Sequence, residues 1–291
     1  MITIHNLTKT YHGNVQALRG INLEIQSRGM FGLLGDNGAG KTTLMRILAG
    51  VINPGGGQVS VFGNDMMTAT GIQSTQSFLG YLPQETGVYP DLTAREFLDY
   101  IAILKGITDK ITRERQIDKV LDSTHLSDVA NRKLNTFSGG MKRRTGIAQA
   151  LLGEPRLLIV DEPTSGLDPE GRVQFRNLLA EMANTCLVIL STHIVEDINH
   201  SCSDLAVIKN GTVLFHGTPA DLIEPVRGKV WLIHSKNAKP PGNNLRIVST
   251  RQIQNGTEYR VLGESVPDFQ AVAVEPSLED AYLWLSNLDR A

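Results

Sequence analysis

The apolar positions of this 291-residue chain change period along its length. Ile2 and Ile4 alternate with polar residues, as do Ile21, Leu23 and Ile25, so residues 1–31 predict β-strands with one buried face. Met30-Phe31-Gly32-Leu33-Leu34 is a short buried strand running into a glycine-rich loop. Residues 42–49 predict a helix ended by Gly50, residues 53–57 a turn, and residues 58–63 another strand. From about 93 to 152 the spacing turns helical: Phe97, Tyr100, Ile101 and Leu104, then Ile117, Val120 and Leu121. Strand and helix alternate afterwards over 157–160, 173–183, 187–190, 195–200, 205–209 and 212–216. A β-rich start, a helical insert and a βα alternation together specify an α/β fold.

The pattern breaks near Pro225 to Gly228. Strand-like runs at 229–234, 245–248, 259–262 and 271–274, with a loop at 238–244, lead to an amphipathic helix over 278–288. Residues 1–225 therefore predict one α/β domain, and residues 229–291 a small appended α+β domain.

Lys and Arg number 28 against 30 Asp and Glu, a net charge of −2. Phosphate-backbone binding leaves a basic footprint, so nucleic acid is not an expected partner. The only cysteines, Cys186 and Cys202, lie in or near apolar stretches and read as buried thiols in a reducing setting. No apolar run approaches the roughly 20 residues that cross a bilayer. The first residues lack the basic start and apolar core of a secretory signal.

The chemistry begins at Gly35-Asp36-Asn37-Gly38-Ala39-Gly40-Lys41-Thr42, which fits the phosphate-loop pattern G-x-x-x-x-G-K-[ST]. Glycines let the backbone turn its N–H groups onto phosphate oxygens, and the following helix adds its positive end. Lys41 is expected on the β- and γ-phosphates and the Thr42 hydroxyl on Mg²⁺. Arg156-Leu157-Leu158-Ile159-Val160 is an apolar strand that ends in Asp161-Glu162. Beside a phosphate loop, the first carboxylate serves Mg²⁺ and the second accepts a proton from attacking water. His193 closes the next strand, within reach of a γ-phosphate. Ser138-Gly139-Gly140 opens a basic helix just ahead of the Asp-Glu strand. Alone, Gln84 reads as a turn residue, Tyr11 as a surface aromatic, and Lys142-Arg143-Arg144 as a solvated helix face.

Taken together these residues resemble the ATP-binding subunit of an ABC transporter, over residues 1 to about 222 and with the motifs in that family's order. Residues 35–42 look like Walker A, 158–162 like Walker B, and 138–140 like the signature motif. Gln84 stands at the Q-loop, Ser165-Gly166-Leu167-Asp168 at the D-loop, His193 at the switch histidine and Tyr11 at the adenine-stacking aromatic. The resemblance implies a P-loop NTPase with an N-terminal β-subdomain and a helical insert at about 88–152. It implies Glu162, His193, Gln84 and Lys41 as catalytic residues, and Thr42, Gln84 and Asp161 around Mg²⁺. Tyr11, Gly35, Asn37, Gly38, Ala39, Gly40, Lys41, Thr42, Thr43, Ser138, Gly139, Gly140 and Asp168 would contact ATP.

Two such chains would close head to tail, each ATP lying between Walker A of one and Ser138-Gly139-Gly140 of the other. The helical insert would dock a separate membrane permease, which puts the chain at the cytoplasmic face of a membrane. The signature continues with Met141 where the family usually has Gln. Met141, the basic triplet and Pro276-Ser277-Leu278-Glu279-Asp280 resemble the ATPases of ABC-2 type exporters. A bland reading stands beside the last of these: Ser277 as the N-cap of an acid-started helix. Two competing readings fit less well. A ribosome- or DNA-acting ABC ATPase would carry two nucleotide domains or long coiled coils. A phosphate-loop kinase would leave the signature and His193 unexplained.

Overall fold

A computed structural model of the chain describes residues 1–85, 87–164, 167–235, 245–254, 256–266 and 271–288. Strands β1 (Ile2–Tyr11) and β2 (Val15–Ile25) pair antiparallel, with Ile2 opposite Ile25 and Ile4 opposite Leu23. Next come β3 (Gly29–Leu34), α1 (Lys41–Leu48), β4 (Gly56–Val61), β5 (Asn64–Asp65), α2 (Ala69–Gln76) and β6 (Leu79–Leu82). Helices α3 (Ala94–Leu104), α4 (Lys110–Ser123) and α5 (Gly139–Leu151) form the helical stretch. The chain continues through β7 (Leu157–Asp161), α6 (Pro169–Met182), β8 (Leu187–Thr192), α7 (Val195–Ser201), β9 (Asp204–Lys209) and β10 (Thr212–Gly217). It ends with α8 (Pro219–Ile223), β11 (Val230–Ser235), β12 (Arg246–Ile253), β13 (Gly256–Leu262), β14 (Ala271–Ala273) and α9 (Leu278–Leu288).

Contacts divide the chain into two compact units, Met1–His216 and Gly217–Ala291. The first holds two sheets. One is ordered β2-β1-β4-β5, and its alternating residues Ile2, Ile4, Ile21, Leu23, Val59 and Val61 are buried. The other is ordered β10-β9-β3-β8-β7-β6, and β9, β3, β8, β7 and β6 run parallel. Every residue of β7 and β8 is buried, which is why these strands read as unbroken apolar runs rather than alternations. Leu44, Met45, Ile47 and Leu48 of α1 join the same core.

Four elements escaped the sequence reading: β5, α2, β6 and α8. β6 is only four residues long and contains Gly80. A Cβ at Gly80 would lie 2.3 Å from the Ala150 carbonyl oxygen of α5, so glycine is what lets helix and strand pack. Helix α2 is rich in Ser, Thr and Gln with no clear apolar face, and it relies on the Thr68 side chain accepting from the Gly71 N–H. β12 also runs past the expected 248 to Ile253. Its second half is polar because, among the described residues, it lies at the edge of the last sheet and pairs with β13 on one side.

The second unit is a four-stranded antiparallel sheet ordered β12-β13-β11-β14, with α8 and α9. Its Pro-Ser-Leu-Glu-Asp stretch has a structural use. Ser277 and Asp280 exchange backbone-to-side-chain hydrogen bonds at the start of α9, a capping box. Asp280 also accepts from Arg260 of β13 at 2.6 Å. The expected 238–244 loop lies outside the described residues.

Candidate functional site

The parallel register fixes where the chemistry gathers. Leu34 of β3 lies beside Thr192 of β8, and Asp161 of β7 beside Ser191 of β8. The phosphate loop, Glu162 and His193 therefore leave the carboxyl ends of three adjacent strands. That edge is where open parallel sheets bind ligands.

The loop from Gly35 to Gly40 is anchored at both ends. The Gly35 N–H donates to the Thr192 carbonyl at 3.3 Å, and the Gly211 N–H donates to the Ala39 carbonyl at 2.9 Å. Gly40 has φ +108°, and a Cβ there would meet the Ala17 carbonyl oxygen at 2.7 Å, so only glycine fits before α1. Asn37 and Gly38 are exposed, Ala39, Lys41 and Thr43 are buried, and Thr42 is half-buried. Tyr11 is 40% exposed and lies beside the loop, its hydroxyl 3.4 Å from that of Thr43. Lys9 Nζ sits 5.7 Å from the centre of the Tyr11 ring.

Lys41 begins α1, and its ammonium has three partners. It donates to the carbonyls of Gly35 at 2.7 Å and Asp36 at 3.1 Å, and it lies 3.3 Å from Glu162 Oε1. The other oxygen of Glu162 is 2.6 Å from His193 Nδ1. One buried carboxylate thus bridges the phosphate-loop lysine and the strand-end histidine. Glu162 has φ +49°, a left-handed conformation uncommon for a residue with a side chain. Its N–H donates to the Ser191 carbonyl at 3.0 Å. Ser191 also donates its hydroxyl to Asp161 Oδ1. The second Asp161 oxygen, Oδ2, is buried without a hydrogen-bond partner.

Ser138, Gly139 and Gly140 open α5, where the Ser138 hydroxyl accepts from the Met141 N–H at 3.3 Å. Among the described residues, no hydrogen bond or ion pair joins these three to Lys41, Glu162 or His193. Asp168 caps α6, accepting from the Gly171 N–H at 2.8 Å, and Ser165 and Gly166 lie outside the described residues. Gln84 is exposed, and its backbone carbonyl accepts from Arg143 at 2.6 Å.

Arg143 corrects the sequence reading. The Lys142–Arg144 triplet is not uniformly solvated: Arg143 is 7% exposed and points into the protein. Its guanidinium donates to the carbonyls of Pro83, Gln84, Asp161, Glu162 and Pro163. Burial pulls Arg143 below its ordinary pKa, and the carboxylates of Asp161 and Glu162 push it back up. A lone arginine in a basic run gave no signal of this. Ser191 and Asp197 were missed as well. Asp197, buried in α7, accepts from Thr164 at 2.6 Å, joining the segment after His193 to the one after Glu162. Cys186 and Cys202 are buried free thiols, and burial pushes Cys186 up to about 11.

No helix among the described residues is long and apolar enough to cross a membrane, and none of their His, Cys, Asp and Glu side chains form a three-residue metal cluster.

Comparison with known proteins agrees with the geometry. The sequence model of the ABC transporter family matches residues 18–165. An uncharacterized ABC transporter ATP-binding protein of Bacillus subtilis, YxlF, is 33% identical over 236 residues, covering 81% of this chain and 77% of the relative. The probable multidrug ABC transporter ATP-binding protein YbhF of Escherichia coli K12 is 32% identical over 300 residues, covering 97% of this chain. The match takes in 51% of YbhF, so this chain spans about half its length. Among solved structures, the dimeric bacterial ABC transporter cassette MJ0796 superposes with a TM-score of 0.69 at 27% identity, over 75% of this chain and 98% of that one. The same cassette in a post-hydrolysis state with ADP and phosphate gives 0.69 at 26% identity, again over 75% and 98%. A phosphate loop, an Asp-Glu strand end and a histidine on one sheet edge, inside this family's sequence and fold, leave one conclusion: the chain belongs to the ABC transporter family and is an ATP-binding, ATP-hydrolysing cassette of it.

Proposed function

We propose that this cassette pairs head to tail with a second copy, hydrolyses Mg-ATP at the shared sites and drives a separate membrane permease of the ABC-2 exporter type. The observation that carries the hydrolytic part is Glu162, held between Lys41 at 3.3 Å and His193 at 2.6 Å. Phosphate oxygens compete with Glu162 for Lys41, because both are anions seeking the same ammonium. ATP binding then releases one carboxylate oxygen of Glu162 to take the proton of an attacking water. His193 keeps its hold on the other oxygen and faces the γ-phosphate. The new bond joins the water oxygen to the γ-phosphorus, and the bond to the β,γ-bridging oxygen breaks, giving ADP and phosphate.

The donor set fits Mg²⁺. Asp161 has a buried oxygen with no partner, and Thr42 presents its hydroxyl one residue after Lys41. Mg²⁺ is held by one or two protein oxygens plus phosphates rather than by an all-protein cage. When bound it would neutralise charge on the phosphates. Gln84 would join this set from the turn after β6. Tyr11 would stack on adenine, and the phosphates would lie over residues 35–43.

The pairing reading rests on Ser138, Gly139 and Gly140. They stand at a helix N-terminus, with no side chain on two of the three positions, yet among the described residues no hydrogen bond or ion pair joins them to the chain's own Lys41. A second copy would supply what each site lacks, with Asp168 aligning the halves.

The permease reading rests on an apolar stripe of α3. Tyr100, Ile103 and Leu104 are 43%, 47% and 65% exposed at helical spacing, and the ring of Tyr89 packs against Tyr100 at 5.7 Å. A membrane subunit's cytoplasmic helix is the proposed occupant, which puts the cassette at the cytoplasmic face of the membrane. The exporter assignment leans on Met141, the Pro-Ser-Leu-Glu-Asp stretch and the word multidrug in the name of the E. coli relative.

The test is to express the chain with the membrane protein encoded beside it. Co-purification and ATPase stimulation that disappear in Leu104→Asp support the reading. Recovery with ribosomes instead, and no membrane protein, would sink it.

A further inference from the structure

We propose that Arg143 is a positioning residue for hydrolysis: a guanidinium joint that makes the signature helix, the Gln84 turn and the Glu162 backbone move as one body. The inference rests on the reading of Glu162 as the general base, and it adds a residue that reading does not contain.

The joint is built from donors and acceptors that match. Arg143 lies on the second turn of α5, five residues after Ser138, and is 7% exposed. Its Nε donates to Pro163 at 3.2 Å. Nη1 donates to Pro83 at 2.9 Å and Gln84 at 2.6 Å. Nη2 donates to Asp161 and Glu162, both at 2.8 Å. These five acceptors are backbone carbonyls, and they come from two places: the turn leaving β6 and the end of β7 with the turn that follows it. Carbonyls at strand ends have lost their ladder partners and require others when buried. Arginine alone carries five N–H donors in one rigid plane; lysine carries three on one atom and glutamine two.

The geometry reaches the catalytic group through Glu162. A left-handed residue with a side chain persists only where its surroundings over-determine it. Here the N–H of Glu162 is held by the Ser191 carbonyl and its C=O by Arg143. The same guanidinium carries the chain that presents Gln84 and sits on the helix that presents Ser138-Gly139-Gly140. A rotation of α5 toward a second copy therefore pulls on Glu162 and Gln84 directly. Arg143 touches no nucleotide in this reading; it acts through the backbones it holds.

Arg143→Lys and Arg143→Gln test this in the full chain. Each should lower kcat for ATP hydrolysis by about tenfold or more, while the dissociation constant for a fluorescent ATP analogue stays within about threefold. A double variant with Gln84→Ala should lose little beyond Arg143→Gln alone, because both act through one joint. Wild-type kcat in Arg143→Lys would overturn the proposal. So would losses of rate, ATP affinity and melting temperature in step, which is the signature of a residue that only holds the fold. If Arg143→Gln fails to fold, Arg143→Lys carries the same comparison and the same two outcomes. Glu162→Gln is measured in parallel: hydrolysis at the wild-type rate there would bring down the general-base reading itself, independently of what Arg143 does.

Discussion

Glu162 lies between Lys41 and His193, and as the proposed general base it carries a double prediction. Replacing it with Gln removes the proposed proton acceptor, so hydrolysis should fall by about 10²- to 10⁴-fold in a steady-state phosphate-release assay. The same change removes the anion that ATP must displace from Lys41. The Glu162→Gln protein should therefore bind ATP at least as tightly as the wild type, measured by calorimetry without turnover. A variant that loses binding along with hydrolysis would mean that Glu162 holds the phosphate loop together rather than waiting for water. This carboxylate was legible in the sequence, because an apolar strand ending in Asp-Glu behind a phosphate loop has few other uses. Its two partners in the resting site were not. The contact of Lys41 with Glu162 joins the first residue of α1, which follows β3, to the residue just past β7, and only the parallel register of β3, β8 and β7 brings them together.

At the scale of elements, close packing replaces chemistry as the deciding factor. β6 and α5 approach so closely at Gly80 that a methyl group would stand 2.3 Å from the Ala150 oxygen, with no flexible side chain to move aside. Gly80→Ala should destabilise the first unit by about 1–3 kcal/mol, the usual magnitude of overpacking, seen as a lower urea midpoint. Helix α5 carries a second expectation. Met141 is half-buried and its N–H is already capped by Ser138, so its side chain has no polar task in this chain. Met141→Gln should keep ATPase activity at the wild-type level, and an inactive variant would mean that Met141 packs in an essential way. Long periodic elements such as α9 were predicted at their observed limits because the repeat runs over many residues. β6 and α2 were not, one being too short for a period and the other too polar to show a face.

At the scale of the whole molecule, the second unit carries an acid-sensitive contact of its own. Burial by itself would raise the Asp280 carboxyl, but bonds from Arg260 and Ser277 outweigh it and hold Asp280 below its ordinary value. The unfolded chain then binds this proton more readily than the folded one. The stabilisation is complete above the ordinary value near pH 4 and is lost as the pH falls through the lower, folded value. Both tryptophans, Trp231 and Trp284, belong to this unit, so their fluorescence reports its unfolding alone. The transition should move to milder acid in Asp280→Asn, whereas an unchanged acid midpoint would show that the ion pair contributes nothing.

What the sequence by itself determined is what local physics controls: the phosphate loop, the strand-end carboxylates, the alternation of strands and helices, and the family they add up to. Each depends on residues a few positions apart, so each leaves a readable spacing. The tertiary structure decided which distant groups meet. It put Glu162 between Lys41 and His193, left one oxygen of Asp161 without a partner, and turned Arg143 from a member of a basic run into the holder of five carbonyls. Those contacts depend on the order of strands in a sheet and on a helix crossing it, and neither leaves a local pattern in the chain.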